Sequence, residues 1–241
     1  MSHWEFIYSR NAVYETLRAG RRKLHRVLVA DGAQERGRLV EIEKLATTRG
    51  VSVERVPRSR LDLIVQEHQG VVMEASEYPY VVVQDILALA SQRGEPPLIL
   101  VLDAVQDPQN FGSLLRTAEA VGVHGVILPL RRTVTVLPSV VNASSGASEH
   151  LLIAQANLAQ ALTLLKEEGL WVIGLDGSPE VQEISKVRLD GALVLVVGSE
   201  GTGMRELVRK SCDTLLRLPM RGQVESLNAA AAGSVVLYFA W

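Results

Sequence analysis

Short apolar runs followed by polar turns recur through the second half of the chain. Residues 98–102 (LILVL), 125–128, 151–153, 171–175, 192–197 and 214–218 read as strands, because an unbroken apolar run of this length needs cover on both faces. Between them, apolar positions return at helical spacing over 110–121, 138–145, 157–168, 203–210 and 226–239. Strands alternating with helices predict an α/β fold with a mostly parallel sheet covered on both sides. The last segment, SLNAAAAGSVVLYFAW, is apolar nearly all round. That predicts cover on more than one side, with a second copy of the chain as one source of it.

The first part of the chain carries shorter elements. Residues 11–19 form an amphipathic helix stopped by Gly20, and 26–30 (RVLVA) a strand before the turn at Gly32. Leu39, Ile42 and Leu45 mark a helix ending near Gly50, 51–56 a strand with alternating faces, and 70–74 a closing strand. Pro57 opens a short helix containing Leu61, Leu63 and Ile64. This is a small α/β module, near the lower limit for independent folding. Tyr78-Pro79-Tyr80 then leads into a helix over 83–91, and Gly94-Glu95-Pro96-Pro97 breaks it. The expected organisation is a module at 1–76, a linker at 77–97 and a larger domain at 98–241.

Composition narrows the class. The chain has 241 residues, is 47% hydrophobic and 22% charged, which is globular and leaves ample material for a core. No apolar run approaches the ~20 residues that span a bilayer, and the start, MSHWEFIYSR, lacks the apolar stretch of a signal peptide. With Cys212 as the one cysteine, an internal disulfide and a multi-cysteine zinc site are excluded. A cytoplasmic protein with no membrane partner is expected. The net charge of −2 argues against a uniformly basic nucleic-acid binder but leaves room for a local basic face. Arg18, Arg21, Arg22, Lys23 and Arg26 cluster within nine positions, with smaller groups at Arg58/Arg60 and Arg131/Arg132. Such a cluster is either a solvated surface or a contact with phosphate.

Three loops carry the candidate chemistry, each at the end of an expected strand, where open α/β sheets bind ligands. The first is the turn Gln106-Asp107-Pro108-Gln109-Asn110, opening a helix that holds Arg116 and Thr117. Asp107 and Asn110 also suit plain turn and capping roles. The second is Gly198-Ser199-Glu200-Gly201-Thr202-Gly203-Met204. It lacks the lysine of a phosphate-binding loop and the spacing of a dinucleotide fingerprint. It suits a ligand without phosphate held through backbone groups, such as S-adenosylmethionine, or else a turn that needs flexible backbone. The third runs from Met220 through Arg221-Gly222-Gln223-Val224-Glu225-Ser226-Leu227 to Asn228. No hydrolase elbow is present to join Ser144 or Ser145 with His150. His3, His25, His68, His124 and His150 are scattered without metal-binding spacing, so non-catalytic histidines and no metal are expected.

Together, DPQNFGSLLRTA (107–118), VVGSEGTGM (196–204) and LPMRGQVESLNAAAA (218–232) resemble the three signature motifs of the SpoU/TrmH class of SPOUT methyltransferases. Residues 7–13 (IYSRNAV) through 68–72 (HQGVV) are similar to the ribosomal-protein-like RNA-binding domain of that class, although Ser9 stands where relatives commonly carry glycine. The arrangement is most like the branch that methylates a guanosine of bacterial 23S rRNA, with tRNA-modifying members and inactive RNA-binding members as alternatives. The resemblance implies transfer of a methyl group from S-adenosylmethionine to a ribose 2′-hydroxyl in RNA. It also implies a C-terminal trefoil knot, and a homodimer with its active site at the subunit interface.

The resemblance further implies site residues. Gly198, Glu200, Gly201, Leu218, Met220, Ser226 and Leu227 would surround the cofactor. Asn110 would orient the first motif and the substrate ribose, and Arg116 would grip the adjoining phosphate with its planar fork of donors. Arginine is not expected to lose its proton. Polarising the 2′-hydroxyl and fixing it in line is therefore an easier role for Arg116 than general base, and positioning alone supplies several kcal/mol. Glu200 would receive the proton or order its loop. Ser226 and Asn228 would contact the ribose or cap the last helix. Arg18, Arg21, Arg22 and Lys23 would bind RNA.

Overall fold

The computed structural model describes residues 4–34, 36–224 and 226–241; His3 and Glu225 lie outside the described residues. The chain divides into two compact units. One runs to Pro79 and also takes in Thr135–His150; the other comprises Tyr80–Val134 and Leu151–Trp241.

In the first unit a four-stranded sheet has the order β1 (Trp4–Tyr8), β4 (Val71–Ser76), β2 (Leu24–Ala30), β3 (Ser52–Val56). The strand β4 runs antiparallel to β1 and β2, while β2 and β3 are parallel. Helices α1 (Arg10–Ala19), α2 (Arg38–Thr48) and α3 (Arg58–Asp62) complete the first stretch. Leu28, Ala30, Val56, Leu61 and Val72 pack into one cluster. The strand β1 was not expected from the sequence. Its alternate position Glu5 is polar, which hides the period-two pattern; Glu5 meets the Arg22 guanidinium at 2.6 Å.

The segment 135–150 belongs to this unit, although it follows β6 in the chain. Its helix α6 (Pro138–Ala143) lies against β1, and a 3-10 turn, Ala147–His150, lies against α1. Glu149 on that turn is fully buried and takes both a 2.9 Å bond from Arg22 Nε and another from Nη2.

The second unit holds seven parallel strands: β5 (Leu98–Leu102), β6 (Gly125–Pro129), β7 (Ile153–Ala156), β8 (Trp171–Leu175), β9 (Gln182–Glu183), β10 (Leu193–Val197) and β11 (Thr214–Arg217). Their order is β7-β6-β5-β10-β8-β11-β9, parallel throughout. The expected strand at 151–153 starts at Ile153 instead, and the short β9 was not foreseen. Ile99, Val101, Val194 and Val196 face a core shared with α4 (Val83–Arg93), α7 (Leu158–Glu167) and α8 (Glu206–Ser211). On the other face lie α5 (Pro108–Ala120) and α9 (Ala229–Ala240), packed on each other. A side chain at Gly233 would come within 2.8 Å of Leu114 and 3.2 Å of Val197, so glycine sets how closely α9 seats on α5 and β10. The helix α4, expected inside a linker, carries the fully buried Ile86 and belongs to this core.

Strand order reverses between β5 and β10. The chain runs outward through β6 and β7 on one side, then fills the other side with β8, β10 and β11. Such a reversal opens a crevice at the carboxyl ends of the strands. From β11 the chain must pass the carboxyl ends of β8 and β10 to bring α9 back beside α5, and residues 218–228 make that passage.

Candidate functional site

The loop after β5 is shaped by its first helical turn. Asp107 caps α5, its Oδ1 accepting the Asn110 amide at 2.7 Å, and Pro108 occupies the first helical position, where its missing N–H costs nothing. This fixes Asn110 at the mouth of the crevice. After β10 the chain folds on itself, with Ser199 and Gly203 exchanging backbone bonds of 3.1 and 3.0 Å. A Cβ on Gly198 would lie 2.3 Å from the Gly203 carbonyl carbon, so the fold requires glycine there. At the third loop Asn228 caps α9, its Oδ1 accepting from Ala230 and Ala231 at 2.9 and 3.2 Å.

These three turns meet through side chains. Asn110 Nδ2 donates to Glu200 Oε2 at 3.1 Å, Asn228 Nδ2 donates to Asn110 Oδ1 at 2.9 Å, and the same Nδ2 lies 3.4 Å from Glu200 Oε2. Residues 110, 200 and 228 are separated by 90 and 28 positions, and each was singled out in a different loop. Amide hydrogens aimed at Glu200 keep it an acceptor with a fixed direction.

Beside this cluster lies a cavity of ≈ 530 Å³, a size suited to a small ligand. Its lining includes every residue expected around a cofactor: Gly198, Glu200, Gly201, Leu218, Met220, Ser226 and Leu227. Besides the loops after β10 and β11, the cavity has a wall that sequence reasoning missed, the turn after β8. There the Ser178 amide donates to Asp176 Oδ1 at 2.9 Å and Arg209 Nε to Asp176 Oδ2 at 2.7 Å. Burial raises the Asp176 carboxyl, but the bonds from Ser178 and Arg209 outweigh it and hold the group below its ordinary value. The sequence signal was available: Asp176-Gly177-Ser178 is a polar turn closing an apolar run, as at the other three strand ends. Also missed was Asp103, fully buried at the end of β5. It accepts the Arg205 amide and the Arg205 Nε, each at 2.7 Å, and so pins the far end of the 198–204 loop.

Among the described residues of the lining, Asp176 is paired with Arg209 and Glu206 with Lys210 beside it, which leaves Glu200 as a carboxylate with no cation on it. That balance disfavours a phosphate ligand and suits a cationic one, bound between backbone groups and short side chains.

Arg116 and the basic cluster are placed differently. Arg116 is exposed on α5 and does not line the cavity. Arg22, expected at RNA, is a correction: its side chain is 0% exposed and its donors are committed to Glu149, Glu5 and the Ser76 carbonyl. Arg21 bonds Tyr78 Oη at 2.7 Å and the Pro79 carbonyl at 3.2 Å, and burial holds the Tyr78 phenol above its ordinary value. Arg26 bridges Glu54 and Glu74. Arg18 and Lys23 are exposed, Arg18 near Glu15 at 3.5 Å. His68 and His124 are structural: each ring accepts a backbone N–H on Nδ1 (from Gly70 and Leu98), which leaves Nε2 to face Asp62 and Glu95. Among the described residues no cluster could hold a metal ion, and no helix is long and apolar enough to cross a membrane.

A parallel α/β sheet with a phosphate-averse cavity at the carboxyl ends of β8, β10 and β11 defines a ligand-binding class, and comparison with known proteins narrows it. Residues 97–238 match the SpoU rRNA Methylase family, and residues 6–81 match a domain described as RNA 2′-O ribose methyltransferase substrate binding. The chain belongs to the SpoU/TrmH family of RNA methyltransferases. It is 40% identical over 236 residues to YacO of Bacillus subtilis (strain 168), which bears the name of a TrmH family tRNA/rRNA methyltransferase; the match covers 97% of this chain and 94% of that one. Among solved structures it is similar to an RNA methyltransferase of the TrmH family from Porphyromonas gingivalis (TM-score 0.76, 25% identity, 98% and 89% of the two chains). In fold it is also similar to AviRb from Streptomyces viridochromogenes, solved with AdoMet (TM-score 0.80, 21% identity, 98% and 88%).

Proposed function

We propose that the protein methylates a ribose 2′-hydroxyl in RNA, using S-adenosylmethionine as the methyl donor, with a guanosine of 23S rRNA as the favoured target. The observation that carries this is the convergence of Asn110, Glu200 and Asn228 beside a cavity with excess carboxylate. The donor supplies an electrophilic methyl on a cationic sulfur. Gly198, Gly201, Leu218, Met220 and Leu227 would hold it largely through main-chain groups, and Glu200 favours its positive charge. Asn110 and Asn228 orient Glu200 and leave its second carboxylate oxygen to accept the hydroxyl proton. Ser226 lines the same cavity and is suited to a ribose contact.

Arg116 completes the site only from a second copy of the chain, since it lies outside the cavity of its own. The face of α9 that would meet that copy carries Val235, Tyr238, Phe239 and Trp241, 40%, 55%, 65% and 81% exposed. An apolar patch of this kind marks an interface. A homodimer and a knotted passage of residues 218–228 both follow from this reading.

The test uses tritiated S-adenosylmethionine and RNA from cells lacking the protein. Label should appear in RNA and survive as an alkali-resistant dinucleotide, because a 2′-O-methyl removes the hydroxyl that attacks the next phosphate. Label on an alkali-cleavable nucleotide would mean base methylation and overturn the reading. Mapping in separated 23S rRNA and tRNA decides the target, and label confined to tRNA would replace the rRNA assignment.

A further inference from the structure

We infer that Arg131 and Arg132, in the loop after β6, form a phosphate-binding clamp for the RNA strand entering the site. The inference rests on the reading that the substrate is RNA, and extends it to residues outside the three motifs and the cavity.

The loop is fastened beside the site. The Val134 amide donates to the Val105 carbonyl at 3.1 Å, and Thr133 Oγ1 donates to the same carbonyl at 3.1 Å. Val105 lies between the buried Asp103 and the Asp107 cap of α5, so the two arginines hang over the same carboxyl edge that presents Asn110. Both are exposed, and Arg132 is held at a left-handed φ of 60° that only a few non-glycine residues adopt. The backbone here is fixed by its neighbour rather than left to drift.

Charge pairing gives the second observation. Six cations of this unit sit on carboxylates, Lys166, Arg188, Arg205, Arg209, Lys210 and Arg217, while Arg93 and Lys186 lie in sequence well away from the three loops. Among the described residues, Arg131 and Arg132 have no ion-pair partner, and neither does Arg221 in the third loop at the same edge. A chain of net charge −2 thus leaves guanidinium groups unneutralised around its site. An exposed carboxylate partner would neutralise them at little cost, whereas a polyanion gains from finding them bare. Arginine suits the partner, since its planar fork matches phosphate oxygens, and contacts of this kind set register rather than sequence.

The experiment uses the full chain and a fluorescent stem-loop oligoribonucleotide of thirty nucleotides, titrated between 50 and 200 mM KCl. Arg131→Ala/Arg132→Ala should lower affinity about tenfold at the low-salt end and flatten the slope of log K against log salt by about 1.4, two lost contacts at roughly 0.7 each. Binding of S-adenosylmethionine should stay at the wild-type value. The Arg131→Lys/Arg132→Lys protein should recover most of the slope, as a role in charge requires. Unchanged affinity and slope in the alanine variant would overturn the inference, and so would a parallel loss of cofactor binding, which would mean a disturbed loop. Methyl transfer by the wild type to cellular RNA is the control. If the wild type transfers no methyl, the proposed function fails; if it does and the alanine variant binds RNA as tightly, only the clamp fails.

Discussion

At the scale of single residues, the site is governed by what cannot be added and by what must stay charged. Gly198 is enclosed by backbone: a methyl there would sit 2.3 Å from Gly203 C and 2.4 Å from Met204 N, neither of which is a side chain able to swing away. Gly198→Ala should therefore displace the 198–204 loop. We expect at least a tenfold loss of S-adenosylmethionine affinity by calorimetry, with an unchanged far-ultraviolet spectrum; wild-type affinity would show that the loop does not hold the donor. Asp176 yields a pH prediction. Its folded value lies below the ordinary 3.8, so the folded state binds the proton less readily than the unfolded one. The stabilisation from Arg209 and Ser178 is then fully present above about pH 4 and lost as pH falls through the lowered folded value. Asp176→Asn should lose that stabilisation at pH 7 and show less acid sensitivity below pH 4, read by urea unfolding at both pH values. An equal urea midpoint for the two proteins at pH 7 would refute it.

At the scale of elements, one side chain can serve two structures at once. Asn228 satisfies two orphan amides at the start of α9 and also ties Asn110 to Glu200. Asn228→Ala should cost about 1 kcal/mol for the cap and, beyond that, a much larger loss of transfer rate from a misdirected Glu200. Asn228→Ser would keep a cap but not the bridge. If the serine variant regains stability and activity together, the bridge has no catalytic part. Most strands and helices of the second unit were legible because central strands such as β5, β6 and β10 are buried on both faces and the helices on one, giving unbroken runs and helical spacing. The two polar residues of β9 give no such run. The three turns were legible because polar residues interrupt those runs. Other features escaped for physical reasons. In β1 the partly buried polar Glu5 breaks the apolar pattern. In 135–150 the apolar residues Val140 and Val141 announce burial without naming the surface they bury against, so the sequence could not show that this stretch belongs with α1 and β1. The role of Arg22 was misread for the same cause: composition reports a charge, while only the fold brings the distant Glu149 to neutralise it.

At the scale of the whole molecule, the interleaved chain changes which truncations are informative. Removing residues 1–76 would strip Glu149 of Arg22 and uncover Val140 and Val141, and breaking a buried ion pair costs about 3–5 kcal/mol. Point variants are the cleaner route to the site, and they test its assembly. If Arg116 acts on the cavity of a second copy, Arg116→Ala and Gly198→Ala homodimers are each inactive for different reasons. In a mixed dimer both defects fall in one site, which leaves the other site intact. Random exchange of the two inactive proteins should then restore about a quarter of wild-type activity per protomer, since half the dimers are mixed and each has one good site. Were Arg116 to serve its own cavity, every site in the mixture would carry one lesion and activity would stay at the background of the separate variants. The exposed stripe of α9 makes the exchange itself testable: Tyr238→Glu should give a monomer by sedimentation, and adding this change to both variants should abolish the recovery.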